Sequence, residues 1–81
     1  MRITILGMGN MGRAFAARAI ETGHQTTVWN RTPGRVGDLV ASGALEATTP
    51  ALAVARADAV LVVLADDAAV LVARRGFDSG K

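Results

Sequence analysis

The chain contains no cysteine, which removes disulfides, thiolate metal sites and cysteine nucleophiles from consideration. A single histidine leaves nothing from which to build a histidine zinc cluster. Aromatic residues are equally sparse. Phe15, Trp29 and Phe77 make no stacking platform for a single-stranded nucleic acid. Nine basic against seven acidic side chains give a net charge of only +2. Arg31 and Arg35 form the one close basic pair ahead of Arg74-Arg75, so no nucleic-acid stripe is expected. The longest uncharged apolar run, Ala59 to Ala65, falls far short of the ~20 residues that a membrane span needs. Near the N-terminus, Gly7, Gly9, Gly12 and Arg13 interrupt any signal-peptide core, and a cytoplasmic location is expected.

What is present is a core. Apolar types make up 51% of the 81 residues and charged types 20%, the balance of one small globular domain rather than of a disordered chain. Short apolar runs alternate with helical stretches, the pattern of a parallel α/β sheet. Ile3-Thr4-Ile5-Leu6 reads as a strand buried on both faces. From Met11 to Thr22 the periodicity is helical, with Phe15, Ala16, Ala19 and Ile20 in one arc and Arg13, Arg18 and Glu21 opposite. Gly23 sits where a helix stops, and His24 reads as the residue that follows the cap.

Thr26 to Trp29 is the second strand, with Trp29 expected in the core. Thr32-Pro33 is expected to cap and open a second helix that turns Val36, Leu39 and Val40 inward and closes at Gly43. A weak strand at Ala44 to Ala47 follows, and Thr49-Pro50 opens a short helix to about Arg56. Ala59 to Leu64 is the clearest strand. Asp66 or Asp67 is expected to cap a last helix through Arg75, which makes acid–base work by the pair the lesser reading, and Gly76 to Lys81 reads as a frayed tail in which Lys81 has no catalytic part. The expected fold is α/β, a Rossmann-like doubly wound parallel sheet, partial, with about four strands in the order 3-2-1-4. In a full sheet of this kind the fourth strand is interior. Here its apolar edge is expected to be bare, as in a shortened domain, and open to pairing with another chain.

Gly7-Met8-Gly9-Asn10-Met11-Gly12 matches G-x-G-x-x-G, and it follows a strand and opens a helix, the context that gives the pattern meaning. Gly7 permits the tight turn, Gly9 lets backbone approach a pyrophosphate, and Gly12 lets the helix lie close to the strand. The free N–H groups and positive dipole end of that helix suit the pyrophosphate. At the end of the second strand stands Asn30-Arg31-Thr32, close to the ~20-residue spacing at which NAD-binding units place an Asp or Glu on the ribose. Asn30 offers no carboxylate, Arg31 a guanidinium suited to a 2′-phosphate, Thr32 a hydroxyl donor, and Arg35 a second charge. The expected cofactor is therefore NADP(H). The plain alternatives are a turn without a ligand, solvated Arg31 and Arg35, and a Thr32 that only caps a helix.

These residues, with Gly23-His24 and Val28-Trp29-Asn30-Arg31-Thr32, resemble the β-hydroxyacid dehydrogenase superfamily, which includes 3-hydroxyisobutyrate dehydrogenases, 6-phosphogluconate dehydrogenases and imine reductases. Thr27 to Arg35 is most similar to the imine-reductase branch, and the resemblance covers residues 1 to about 73. It implies that Met8, Asn10 and Met11 lie on the cofactor and that Asn30, Arg31, Thr32 and Arg35 surround the 2′-phosphate. It also implies that Leu64 and Ala65 pass beside the adenosine side of the crevice. The family often has Leu-Pro at that pair, so Ala65 is a departure.

In that family the substrate and catalytic residues come from later strands, a long interdomain helix and a helical C-terminal domain, commonly swapped in a dimer. None of these is in this sequence, so no catalytic residue and no metal ligand is assigned. Residues 1–75 are expected to form an incomplete dinucleotide-binding domain and 76–81 a disordered tail. The first functional reading is the NADP(H)-binding domain of an oxidoreductase that delivers hydride to a C=O or C=N group. The others are a non-catalytic dinucleotide-binding or interaction module and a truncated remnant without function. A homodimer, or docking to a helical domain, is expected through the edge of the fourth strand.

Overall fold

The computed structural model describes residues 1–32, 34–65 and 68–74. Its elements in chain order are β1 (Arg2–Leu6), α1 (Asn10–Glu21), β2 (Gln25–Trp29), α2 (Gly37–Ala41), β3 (Leu45–Glu46), α3 (Pro50–Val54), β4 (Ala59–Ala65) and β5 (Ala68–Arg74). They build one sheet in the order β3-β2-β1-β4-β5. The first four strands run parallel in the expected order 3-2-1-4.

The core forms where β1 and β2 meet α1. Ile5 and Val28 are partners in register and both are almost wholly buried, as side chains in a sheet covered by helices should be. Against them α1 turns Gly12, Ala16 and Ala19, spaced for one helical face and small enough for close approach. That arc differs from the expected one in its centre. Gly12 is pressed against the Gly7 carbonyl, and this backbone contact sets the rotation of the helix about its axis. Large side chains are thereby pushed to the flanks, where Ile20 still packs on the core and Phe15 is left 41% exposed.

At the start of the sheet Asp58 holds β4 to β1. Its carboxylate accepts from the Arg2 N–H at 2.7 Å, and its own N–H donates to the Arg2 carbonyl. Thr49 caps α3 as its sequence suggests, its Oγ1 accepting from the Leu52 N–H at 3.1 Å, with Pro50 at the first helical position. Gly23 follows the end of α1, also as expected.

Three elements depart from expectation. The second helix does not open at Thr32-Pro33 but at Gly37, with Val36 in the capping position and no side-chain cap. The Thr32 carbonyl, which a helix starting there would use, is taken by the Asn30 side chain, and Gly34 has φ +84, outside the helical region. Thr32 is therefore no cap. Of the three residues expected inside, Val36 and Leu39 are buried, whereas Val40 is 43% exposed on a helix of one turn and a half. Pro33 lies outside the described residues. β3 is shorter than expected, with only Leu45 and Glu46 paired to β2.

The largest departure follows β4. In place of a helix through Arg75, residues 68–74 form β5, antiparallel to β4, with Ala65 paired to Ala68 and Ala59 to Arg74. The edge of the fourth strand is thus occupied by the chain itself, not bare. A short run such as Ala-Ala-Val-Leu-Val suits strand and helix alike by periodicity, and the unpaired edge of β4 decides for the strand. Asp66, Asp67, Arg75 and the tail 76–81, with Lys81, lie outside the described residues. Among the described residues no helix is long and apolar enough to cross a membrane.

Candidate functional site

Among the described residues two hollows adjoin the sheet, and they meet at Glu46 and Ala47, which line both. The larger, about 660 Å³, lies over the strand starts and one sheet face, where Arg2, Thr4, Gln25, Thr27, Leu52 and Arg56 line it. Its lining also includes the Glu46 carboxylate, and it includes no residue of the glycine turn. The smaller, about 290 Å³, is lined by Trp29, Asn30, Arg31, Gly34, Glu46 and Thr48, with Ala47 between. It opens at the carboxyl end of β2, the side on which parallel α/β sheets bind ligands, and the glycine turn stands next to it.

That turn is built by backbone contact. Gly7 leaves β1 with φ +102, and a Cβ on it would stand 2.7 Å from the Val63 carbonyl oxygen of β4. A Cβ on Gly12 would stand 1.9 Å from the Gly7 carbonyl oxygen. Only glycine fits at either place. The Gly7 N–H donates to the Trp29 carbonyl at 2.9 Å, which locks the turn to the end of β2. Gly9 takes the capping position of α1 in extended conformation, with no side-chain cap and no acidic residue in the first turn. The first helical bond runs from the Arg13 N–H to the Gly9 carbonyl at 2.9 Å, so the amides of Asn10, Met11 and Gly12 have no acceptor within the helix. Three donors and the positive end of a helix of twelve residues face outward together, a place for an anion.

Met8 behaves differently from its neighbours. Its side chain is buried in the core, and its N–H donates to Asn30 Oδ1 at 3.1 Å. Asn10 is exposed and Met11 half-buried. Asn30 is thereby a bridge. Its Oδ1 holds the glycine turn while its Nδ2 donates to the Thr32 carbonyl at 3.2 Å, so one side chain fixes the turn and the following loop relative to each other. Arg31, Thr32 and Arg35 are all exposed on that loop. Among the described residues no carboxylate pairs with Arg31 or Arg35. Leu64 and Ala65 are the last two residues of β4, the strand that lies beside β1.

Four residues of this region escape sequence reasoning. Trp29, expected in the core, is half-buried and lines the hollow, because it is the last residue of its strand rather than an interior one. Glu46 and Thr48 reach the hollow through the pairing of β3 with β2, in which Val28 faces Glu46. Arg13, on the polar face of α1, donates from Nη1 to the Arg35 carbonyl at 2.8 Å and from Nη2 to Asp38. The Arg13 guanidinium holds the Asp38 carboxyl below its usual range. His24 stays remote from all of this, its N–H on the Ala19 carbonyl and its Nδ1 3.1 Å from the Met1 amine.

Comparison with known proteins agrees with this geometry. Residues 2–77 match the family described as the NAD binding domain of 6-phosphogluconate dehydrogenase. An uncharacterized oxidoreductase of Bacillus subtilis, YfjR, is 44% identical over 78 residues, which are 96% of this chain and 27% of that protein. The NADPH-dependent reductive aminase of Aspergillus oryzae is 40% identical over 68 residues, 84% of this chain and 23% of the relative. Among solved structures, the imine reductase from Myxococcus stipitatus in complex with NADP+ superimposes with a TM-score of 0.76 at 40% identity, covering 83% of this chain and 24% of that one. The chain spans about a quarter of the length of these relatives. It provides a dinucleotide-binding domain with a Rossmann-like sheet, and it belongs to the family of NAD-binding domains of 6-phosphogluconate dehydrogenase.

Proposed function

We propose that this chain is the NADP(H)-binding domain of a reductase that delivers hydride to a C=O or C=N group. The single observation that carries the choice of NADP(H) is the loop at the end of β2. Asn30 stands there without a carboxylate, and Arg31 beside it has no acidic partner among the described residues. A guanidinium left uncommitted next to a neutral residue suits a phosphorylated ribose better than a free 2′-hydroxyl.

The residues present fit the whole dinucleotide. Gly7 and Gly12 pack backbone on backbone, where no Cβ fits, which keeps the turn tight at the start of α1, and the uncapped amides of Asn10, Met11 and Gly12 suit the pyrophosphate. Gly9 and the backbone of Met8 complete the turn beneath it. Arg31, Thr32 and Arg35 would hold the 2′-phosphate, with Asn30 setting the loop that carries them. Leu64 and Ala65 would border the adenosine. When bound, the cofactor supplies the hydride. The chain's own part is to bind and orient, and no group of the described site is suited to donate a proton to a substrate. The relatives extend well beyond the matched part, and the substrate-binding groups are assigned to such a further region. Residues 1–75 form the binding domain in this reading.

Titration of Trp29 fluorescence with NADPH and NADH tests the proposal, since the indole lines the hollow beside Asn30 and Arg31. The expected result is saturable binding of both, tighter for NADPH, with no oxidation of NADPH when a ketone or an imine is added to this chain. Equal affinities would remove the preference for NADP(H), and absence of any saturable signal would remove dinucleotide binding altogether.

A further inference from the structure

A carboxylate stands in the hollow that Arg31 lines. Glu46, the last residue of β3, is set opposite Val28 by the sheet register, and its Oε2 accepts from the Gly34 N–H at 3.2 Å. Gly34 has φ +84, and nothing lies within 4 Å of the place where a Cβ would stand. Its amide lies on the loop that carries Arg31 and Arg35, and Gly34 lines the same hollow as Arg31 and Glu46. A backbone N–H on such a loop, near a guanidinium, is a donor for anions, and the anion it holds here is part of the protein.

We infer that Glu46 is a specificity-determining residue that competes with the cofactor's 2′-phosphate for the Gly34 N–H and the field of Arg31. This rests on the reading that the loop after β2 receives a 2′-phosphate. A phosphate monoester carries about −1.5 to −2 charges near neutrality, so a carboxylate on the wall of the same hollow opposes it. A ribose with a free 2′-hydroxyl has no such charge and meets no such opposition. Selectivity is a difference between two affinities, and Glu46 acts on one of them. Its effect is to hold the preference for the phosphorylated cofactor below what Arg31 alone would set. Because the hollow is open to solvent, the opposition is also sensitive to salt.

The test uses the full chain and two probes, 2′,5′-ADP and 5′-AMP, which differ only in the 2′-phosphate. Binding is measured for the wild type, E46Q and E46K at low and at high salt. The side-chain amide oxygen in E46Q can still accept from the Gly34 N–H, so that variant removes charge while keeping the hydrogen bond. The expected result is a ratio of affinities, 2′,5′-ADP over 5′-AMP, about three- to tenfold higher in E46Q at low salt. It rises further in E46K, and the gain shrinks at high salt.

A ratio that does not follow the charge at position 46 overturns the inference, as does an equal weakening of both probes, which would make Glu46 a mere support of the loop. Wild-type binding with no preference for 2′,5′-ADP would sink the NADP(H) reading alone, if E46Q then acquires one. Equal binding of the two probes by all three proteins, or no binding by any, would sink both.

Discussion

The two turns that meet at the carboxyl end of the sheet are held by different forces. The turn between β1 and α1 is a matter of backbone against backbone. Gly7 lies on Val63 of β4, and Gly12 lies on Gly7, both too close for any side chain. The loop between β2 and α2 is held instead by side chains. Asn30 grips the Thr32 carbonyl, Glu46 the Gly34 N–H, and Arg13 the Arg35 carbonyl. The first kind of contact is short-ranged and unforgiving. The second is solvent-exposed and adjustable by single substitutions, and in the reading proposed above it is the part that tells one dinucleotide from another. Among the described residues Asn30 joins the two, through the Met8 N–H and the Thr32 carbonyl.

Breaking the first turn has the largest expected effect. G12A drives a Cβ into the Gly7 carbonyl oxygen, and relieving such an overlap costs about 3 kcal/mol or more. A small domain has only about 5 kcal/mol to lose. Thermal unfolding followed by far-UV circular dichroism should show a lost or strongly lowered transition, and NADPH and NADH binding should fail together. A variant that melts like the wild type would contradict so close a packing of the two glycines.

N30A strikes the link between the two turns. It leaves the Met8 N–H and the Thr32 carbonyl without their partner, at a cost of about 1–3 kcal/mol. Both cofactors should then bind more weakly by similar factors in a fluorescence titration. If only NADPH were affected, Asn30 would act within the phosphate loop and not as a bridge.

R31A sharpens the contrast from the other side. Loss of a charge-assisted contact should weaken NADPH about tenfold while NADH stays within about twofold of the wild type. Equal losses for the two cofactors would return Arg31 to the status of a surface arginine.

The smallest effect belongs to the Arg13–Asp38 pair. Asp38 is exposed, and the Arg13 hydrogen bond lowers its pKa below the usual 3.8. A carboxylate with a depressed folded-state pKa lends stability that is fully present above its unfolded value. That stability is lost as the pH falls through the lower folded value. D38N should thus cause a slight loss of thermal stability at neutral pH that fades as the pH falls below the usual carboxylate range, through the lowered folded-state value. A loss that persists unchanged in acid would mean the pair contributes nothing through charge.

Much of the first turn is legible in the amino-acid sequence alone. A β-branched strand running into three glycines at fixed spacing, then a helical period, admits few arrangements, since Gly7 and Gly12 answer steric demands that no other residue meets. The second loop is legible only in part. Asn30-Arg31-Thr32 announces its chemistry by residue type, but the start of α2 at Gly37 does not follow from Thr32-Pro33. Whether Thr32 caps a helix depends on which groups compete for its carbonyl, and the competitor is a side chain two residues away. Glu46 is invisible from its own neighbourhood, because its place in the hollow comes from pairing across the sheet.

By itself, the sequence determined the alternation of strands and helices, the parallel order of the first four strands, and the turn that suits a dinucleotide. These follow from local sterics and from the hydrophobic period, which each segment carries within itself. Only the tertiary structure decided the rotation of α1 that leaves Phe15 exposed, the identity of residues 68–74 as a strand, and the meeting of Glu46 with Gly34. Each of these depends on which partner stands beside the segment. A glycine carbonyl sets a helix's rotation, an unpaired edge of β4 selects a strand over a helix, and sheet register brings a carboxylate to a loop amide.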